Sequence, residues 1–362
     1  LLPFLDTIPS AKYTSSYDSE NRKLYSYIGL YGFSLDFIFD MYYSKGKNIS
    51  FILLIQILTY WCIINPILLL FGIQESLPLF VKILSVVATL FISAGGYVIN
   101  DYFDIKIDLI NKPDRVIITN GISKKSAMNY YTILTSIGVL CGLICAFILR
   151  SITIGLIFVI TPGALWFYSA TYKRQLIIGN LIVAVCSALV LLLPLICEST
   201  FLLNYYSMIK ETPIIKMLYT WVCSFAGFAF TFTLIREIVK DLEDIPGDRE
   251  MECHTIPVVW GETVSKILIT ILLLGVNIIL SLITIKYIPF EGTLSLKYYI
   301  IGIATPSIFA IVSLWGNNCT AYKTTSYILK FIMLIGILYS FVFYYLISAS
   351  YKIPFLGIFQ II

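Results

Sequence analysis

Asp101, Asp104 and Asp108 stand at i, i+3 and i+7, and Asp241, Asp244 and Asp248 repeat that spacing. On a helix, each set shares one face. The outer pair of each set then spans roughly 10 Å of axis, at about 1.5 Å per residue. Asn100 precedes the first row, and Lys112 and Arg115 follow it. Arg236 and Lys240 flank the second, and Glu237 extends its acidic face by one turn. Each row ends an apolar segment. Like charges there repel one another and lose solvation, and acidic residues at membrane depth usually mark function. Divalent cations relieve the repulsion. Mg²⁺ takes oxygen ligands, keeps several waters, and is held by one or two carboxylates plus substrate phosphates. Two carboxylate faces with cations alongside therefore suit a polyanionic phosphate ligand bridged by Mg²⁺. Mn²⁺ accepts the same ligand set. An EF-hand is excluded, because its loop glycine and terminal glutamate are out of place.

The elements that position these rows are membrane helices. The chain has 362 residues, 59% hydrophobic and only 13% charged, with a mean hydropathy of +0.89. Soluble domains carry about 25% charged residues. Nine segments reach the ~20 apolar residues that a spanning helix needs: roughly 51–72, 79–100, 127–149, 151–170, 176–197, 217–238, 264–286, 297–315 and 327–348. The expected fold is an all-α, polytopic membrane bundle. It divides into an N-terminal extension (1–50), a transmembrane domain (51–348) and a C-terminal tail (349–362). The short link at Arg150-Ser151 makes spans three and four a tight antiparallel hairpin. Both aspartate clusters lie at span ends, with no acidic residue inside the spans.

Loop charge sets the sides. The N-terminus and the loops after spans two, four, six and eight hold most of the Lys and Arg, including Lys173 and Arg174. The positive-inside rule makes that side cytoplasmic, so both acidic rows face one cytoplasmic cavity of an inner (cell) membrane protein. The aromatic stretch within residues 1–50 fits either an interfacial segment or an extension. The first thirty residues are polar and tyrosine-rich, unlike a cleavable signal peptide. The eight cysteines form no C-x-x-C pair and read as small buried hydrophobes. A net charge of +4, with its basic residues scattered, gives no nucleic-acid footprint, and no protein partner is implied.

Asn100-Asp101-x-x-Asp104-x-x-x-Asp108 resembles the N-D-x-x-D-x-x-x-D motif of the UbiA superfamily of intramembrane prenyltransferases. "NKPDR", Asn111 to Arg115, is similar to its basic continuation. Lys240 to Asp248 resembles a second motif, K-D-x-x-D-x-x-G-D. The wording "REIVKDLEDIPGD", followed by "TIPVVWG", is similar to the digeranylgeranylglyceryl phosphate synthase branch. That branch implies a small residue or glycine near Glu252, where this chain reads "DREMECH". The resemblance covers about residues 50 to 348.

It implies transfer of a prenyl group from an isoprenyl diphosphate to a lipophilic acceptor, a prenylated glycerol phosphate, with Mg²⁺ on the six aspartates. Asn100, Lys112, Arg115, Tyr168, Lys173, Arg174, Arg236 and Lys240 are the expected substrate-binding residues. Tyr97, Tyr168 or Tyr172 would turn a ring face to the allylic cation. Ser169 and Asn180 fit either cavity lining or packing, and the lone His254 reads as incidental. Gly95-Gly96 allows close helix approach. Two other enzyme or transport readings compete: an aromatic acceptor, as in quinone biosynthesis, and a cation-coupled transporter. A transporter normally binds near the midplane on broken helices, whereas these clusters sit at span ends. Asp104→Ala and Asp244→Ala are each expected to lower prenyl transfer by several orders of magnitude while the bundle still folds. Near-normal turnover in either variant removes that carboxylate from the chemistry.

Overall fold

A computed structural model of the chain describes residues 48–73, 76–111, 118, 122–207, 212–286, 293–316 and 318–356. Most of the N-terminal extension, and with it Lys112 and Arg115, lies outside the described residues. Among the described residues, nine helices are long and apolar enough to cross a membrane. They are α1 Asn48–Leu70, α2 Leu79–Asn111, α3 Lys124–Ile148, α4 Ile152–Ala170, α5 Ile178–Tyr205, α6 Pro213–Glu250, α7 Glu262–Lys286, α8 Leu294–Leu314 and α9 Cys319–Tyr351. The short helix Ile256–Trp260 joins α6 to α7.

Two helices outrun their apolar segments. Hydropathy ends span two near 100 and span six near 238, yet α2 continues to Asn111 and α6 to Glu250. Both aspartate rows therefore ride on unbroken helical extensions, which makes their i, i+3, i+7 spacing a real face. α6 stops at Met251 in a Schellman turn. Cys253 N–H donates to the Asp248 carbonyl at 2.8 Å and Glu252 N–H to that of Arg249 at 3.2 Å. The turn puts Glu252 at φ +53°, the left-handed conformation in which glycine carries no Cβ penalty.

α1 and α8 each contain a widened π turn, at Thr59–Ile64 and Ile300–Ala304. A proline follows each, Pro66 and Pro306. Proline has no N–H for the carbonyl four residues earlier, and the wider turn takes up the resulting break in the ladder. The α3–α4 reversal is as tight as its sequence implies: Ser151 caps α4, its Oγ accepting from Ile154 N–H at 3.4 Å. Gly95 and Gly96 do permit close approach. A Cβ on Gly95 would stand 2.5 Å from Thr135 Oγ1 of α3, and one on Gly96 2.9 Å from Leu165 of α4.

Glu198 changes one expectation. The fifth span ends near 197 by hydropathy, but α5 runs to Tyr205 and places Glu198 inside it, 0% exposed. So an acidic residue does lie within a spanning helix, at the end of the bundle opposite the aspartate rows. Its Oε1 accepts from Leu77 N–H at 2.9 Å, and its Oε2 lies 3.9 Å from Lys82 Nζ. Lys82 also donates to Ser76 Oγ at 2.8 Å and lies over the Tyr60 ring. This knot fastens the α1–α2 link to α5.

The aspartate end is fastened differently, by neutral groups. Gly247 N–H donates to Asn111 Oδ1 at 3.0 Å, and Asn111 Nδ2 donates to the Asp244 carbonyl at 3.3 Å. Pro246 removes only the hydrogen bond to the Leu242 carbonyl, and α6 stays helical through it; the Gly247 N–H and the Asp244 carbonyl meet Asn111 where the two helices touch. A Cβ on Gly247 would come within 2.5 Å of Asn111 Nδ2. Helix propensity alone favours Ala over Gly by about 1 kcal/mol. At Gly227 of the same helix nothing lies within 4 Å. Gly227→Ala should therefore raise the melting temperature in detergent. Gly247→Ala should lower it, because overpacking and two lost hydrogen bonds cost about 1–3 kcal/mol. A rise in both variants would show that the bracket does not hold the two helices.

Candidate active site

The C-terminal ends of α2 and α6 meet at one end of the bundle, joined by the Asn111 bracket. Two further segments close around them. The turn between α4 and α5 carries a 3₁₀ stretch, Tyr172–Arg174, and the link after α6 carries Cys253 to Thr255. His254 N–H donates to the Arg174 carbonyl at 2.8 Å and ties these two segments together. The incidental histidine thus contributes its backbone. Arg174 is linked here by its carbonyl group.

Asp104, only 4% exposed, accepts from Asn100 Nδ2 at 2.7 Å and pairs with the Lys173 ammonium. Desolvation would by itself lower the Lys173 pKa. The Asp104 carboxylate outweighs it, with Asp108 contributing in the same sense, and the ammonium is held well above its usual value. Lys173 therefore stays charged throughout any working pH. Asp241 accepts from Asn180 Nδ2 of α5 at 2.8 Å, and Asp248 accepts from Thr255 Oγ1 at 3.1 Å. Asp101, Asp108 and Asp244 are half-buried on the same helix faces. Tyr168 at the end of α4 lies within electrostatic reach of Lys173, Glu237, Asp104 and Asp241. Tyr97 of α2 lies within reach of Glu237, Arg236 and Asp101. Ser169 bonds its own helix at the Leu165 carbonyl.

Glu237 does not act as one more member of the acidic row. Its carboxylate accepts from Lys240 Nζ at 2.8 and 2.9 Å and from Arg236 Nη1 at 3.1 Å. Sequence reasoning did not single out Asn111 as a bracket or Thr255 as a partner of Asp248. The only signal for the first was the Pro246-Gly247 pair inside a helical stretch.

Among the described residues, no three His, Cys, Asp or Glu side chains converge closely enough to enclose a bare ion. The donor set, all carboxylate oxygen, fits Mg²⁺ bound through one or two protein ligands, with water and phosphate oxygen completing the shell. It does not fit a dehydrated cage or a thiolate- or imidazole-bound metal.

Comparison with known proteins places the chain in a family. The model of the UbiA prenyltransferase family matches residues 57–335. The digeranylgeranylglyceryl phosphate synthase of Methanosphaera stadtmanae is 31% identical over 253 residues, 70% of this chain and 82% of its own length. That of Sulfolobus acidocaldarius is 33% identical over 269 residues, 73% of this chain and 85% of its own. A solved structure of a digeranylgeranylglyceryl phosphate synthase in membranes aligns with a TM-score of 0.56 at 25% identity, covering 87% of this chain and 98% of that one. An apo UbiA homologue from Aeropyrum pernix K1 shares the fold, with a TM-score of 0.56 at 13% identity over 78% of this chain and 96% of its own. The matched segment contains both aspartate rows and the basic turn between α4 and α5, and this chain is a multi-pass membrane prenyltransferase that belongs to the UbiA prenyltransferase family.

Proposed function

We propose that the protein transfers a geranylgeranyl group from its diphosphate to the free hydroxyl of geranylgeranylglyceryl phosphate, with Mg²⁺, in membrane ether-lipid synthesis. The observation that carries the reading is the meeting of two carboxylate rows at one helix-end pocket, beside the charged Lys173. The similarity to digeranylgeranylglyceryl phosphate synthases over more than two thirds of the chain supports the acceptor. The excess of Lys and Arg on the same side supports a pocket that faces the cytoplasm.

In this reading the acceptor oxygen bonds to C1 of the donor as the C1–O bond to diphosphate breaks. The bonding electrons leave on the diphosphate, which also takes up the hydroxyl proton. Bound Mg²⁺ would neutralise charge growing on that leaving group. Asp101, Asp104 and Asp108 on one face, and Asp241, Asp244 and Asp248 on the other, would supply its ligands, one or two carboxylates to each ion, with water and phosphate oxygen completing the shell. Asn100, Asn180 and Thr255 orient three of these carboxylates without cancelling their charge. Lys173 adds an ammonium donor to the departing oxygens. Tyr97 and Tyr168, both within electrostatic reach of Glu237, are the rings this reading offers to cationic C1.

Labelled geranylgeranyl diphosphate, Mg²⁺ and a panel of acceptors test the reading in detergent. Product with the glycerol phosphate acceptor alone is expected. Product only with an aromatic acid would move the assignment to quinone synthesis, and substrate flux into liposomes without product would move it to transport. Lys173→Met should lower kcat/KM for the diphosphate by about two to three orders of magnitude. Unchanged kinetics in that variant would exclude Lys173 from leaving-group binding.

A further inference from the structure

Arg236 and Lys240 have no part in holding the diphosphate in the account above. Both lie on α6 on the membrane side of the aspartate row. Arg236 precedes Asp241 by roughly 8 Å of helix axis and Asp244 by roughly 12 Å, at about 1.5 Å per residue. Glu237 is 8% exposed and fixes both cations with one carboxylate. The three charges leave a surplus of one positive. The Arg236 Nε–H is buried and has no hydrogen-bond partner, although 16% of the side chain remains exposed. A surplus cation with an unsatisfied donor inside a membrane helix is unfavourable unless something anionic joins it.

Further into the membrane the same helix turns apolar. Thr233 donates to Ser187 of α5 at 2.9 Å, and Ser187, Phe225, Phe228 and Ala229 line an apolar cavity. α6 thus presents three zones in order: carboxylates, a cation pair and a hydrocarbon surface. An allylic diphosphate has the same order of parts, with C1 between its phosphates and its chain. With the diphosphate at the carboxylates and the chain among apolar side chains, C1 lies level with the cation pair. The attacking hydroxyl of a glycerol phosphate is only a few bonds from its own phosphorus. When that hydroxyl reaches C1, its phosphate must lie nearby too.

We propose that Arg236 and Lys240, preset by Glu237, form the subsite for the acceptor's phosphate monoester, separate from the diphosphate site on the aspartates. This inference rests on the acceptor reading given above. Its test compares two acceptors that differ only in the phosphate: a prenylated glycerol phosphate and the same prenylated glycerol without it. The quantity read is the ratio of their kcat/KM values with saturating labelled donor and Mg²⁺. Arg236→Gln and Lys240→Gln should each lower the wild-type ratio by about ten- to a hundredfold, the worth of a charge-assisted hydrogen bond. Arg236→Lys should restore part of it, since it returns the charge without the planar fork. Should Arg236→Gln fail to fold, the other two variants still report the ratio. A ratio that stays at the wild-type value, or losses in equal proportion on both acceptors, would overturn the subsite. Wild-type protein that makes no product from the phosphorylated acceptor would refute the acceptor reading itself, and the subsite with it.

Discussion

Everything in this molecule is arranged around the repulsion between two acidic helix ends that must share one pocket. The repulsion is not relieved by matching each acid with a base. Asp104 has Lys173, but Asp241 and Asp248 have neutral partners, Asn180 and Thr255. Neutral donors orient lone pairs and leave the charge in place for a bound cation. The helices are held together by amide-to-backbone hydrogen bonds at Asn111, whose strength does not depend on the ionisation of any aspartate.

Neither that pocket nor its bracket would be stable on loops. α2 and α6 carry the rows as continuations of helices anchored in the bilayer, so the carboxylates inherit the rigidity of the bundle. Small residues let α2 lie close to α3 and α4 just before the first row. At the far end, the buried Glu198–Lys82 contact and the Leu77 N–H fix α2 relative to α5. α2 is therefore constrained at both ends, once by a charged contact and once by neutral ones.

Much of this was legible from local spacing. The nine apolar segments, the tight turn at Ser151, the matched aspartate rows and the basic turn at Lys173 all depend on residues close in sequence. Hydropathy misplaced the ends of α2, α5 and α6, because helix hydrogen bonding continues after the apolar pattern stops. That error hid Glu198 inside α5. The bracket was invisible for another reason: Asn111 and Gly247 are 136 positions apart, and neither residue is unusual alone. Thr255 reaches Asp248 only because the chain reverses between them. The oddity at "DREMECH" was visible, and its cause is now clear. Glu252 occupies a left-handed position that a glycine would fill without a Cβ clash.

The π turns in α1 and α8 carry a consequence for anyone reshaping the apolar cavity beside α1. An extra residue in a turn rotates everything beyond it by about 100° relative to a regular 3.6-residue wheel. Phe51 and Ile55, which border the apolar cavity, come before the π turn in α1. A helical-wheel projection drawn from them through Pro66 would aim later side chains at the wrong neighbours. Any redesign of the cavity wall in α1 should therefore use two separate angular frames, with the break at Thr59–Ile64.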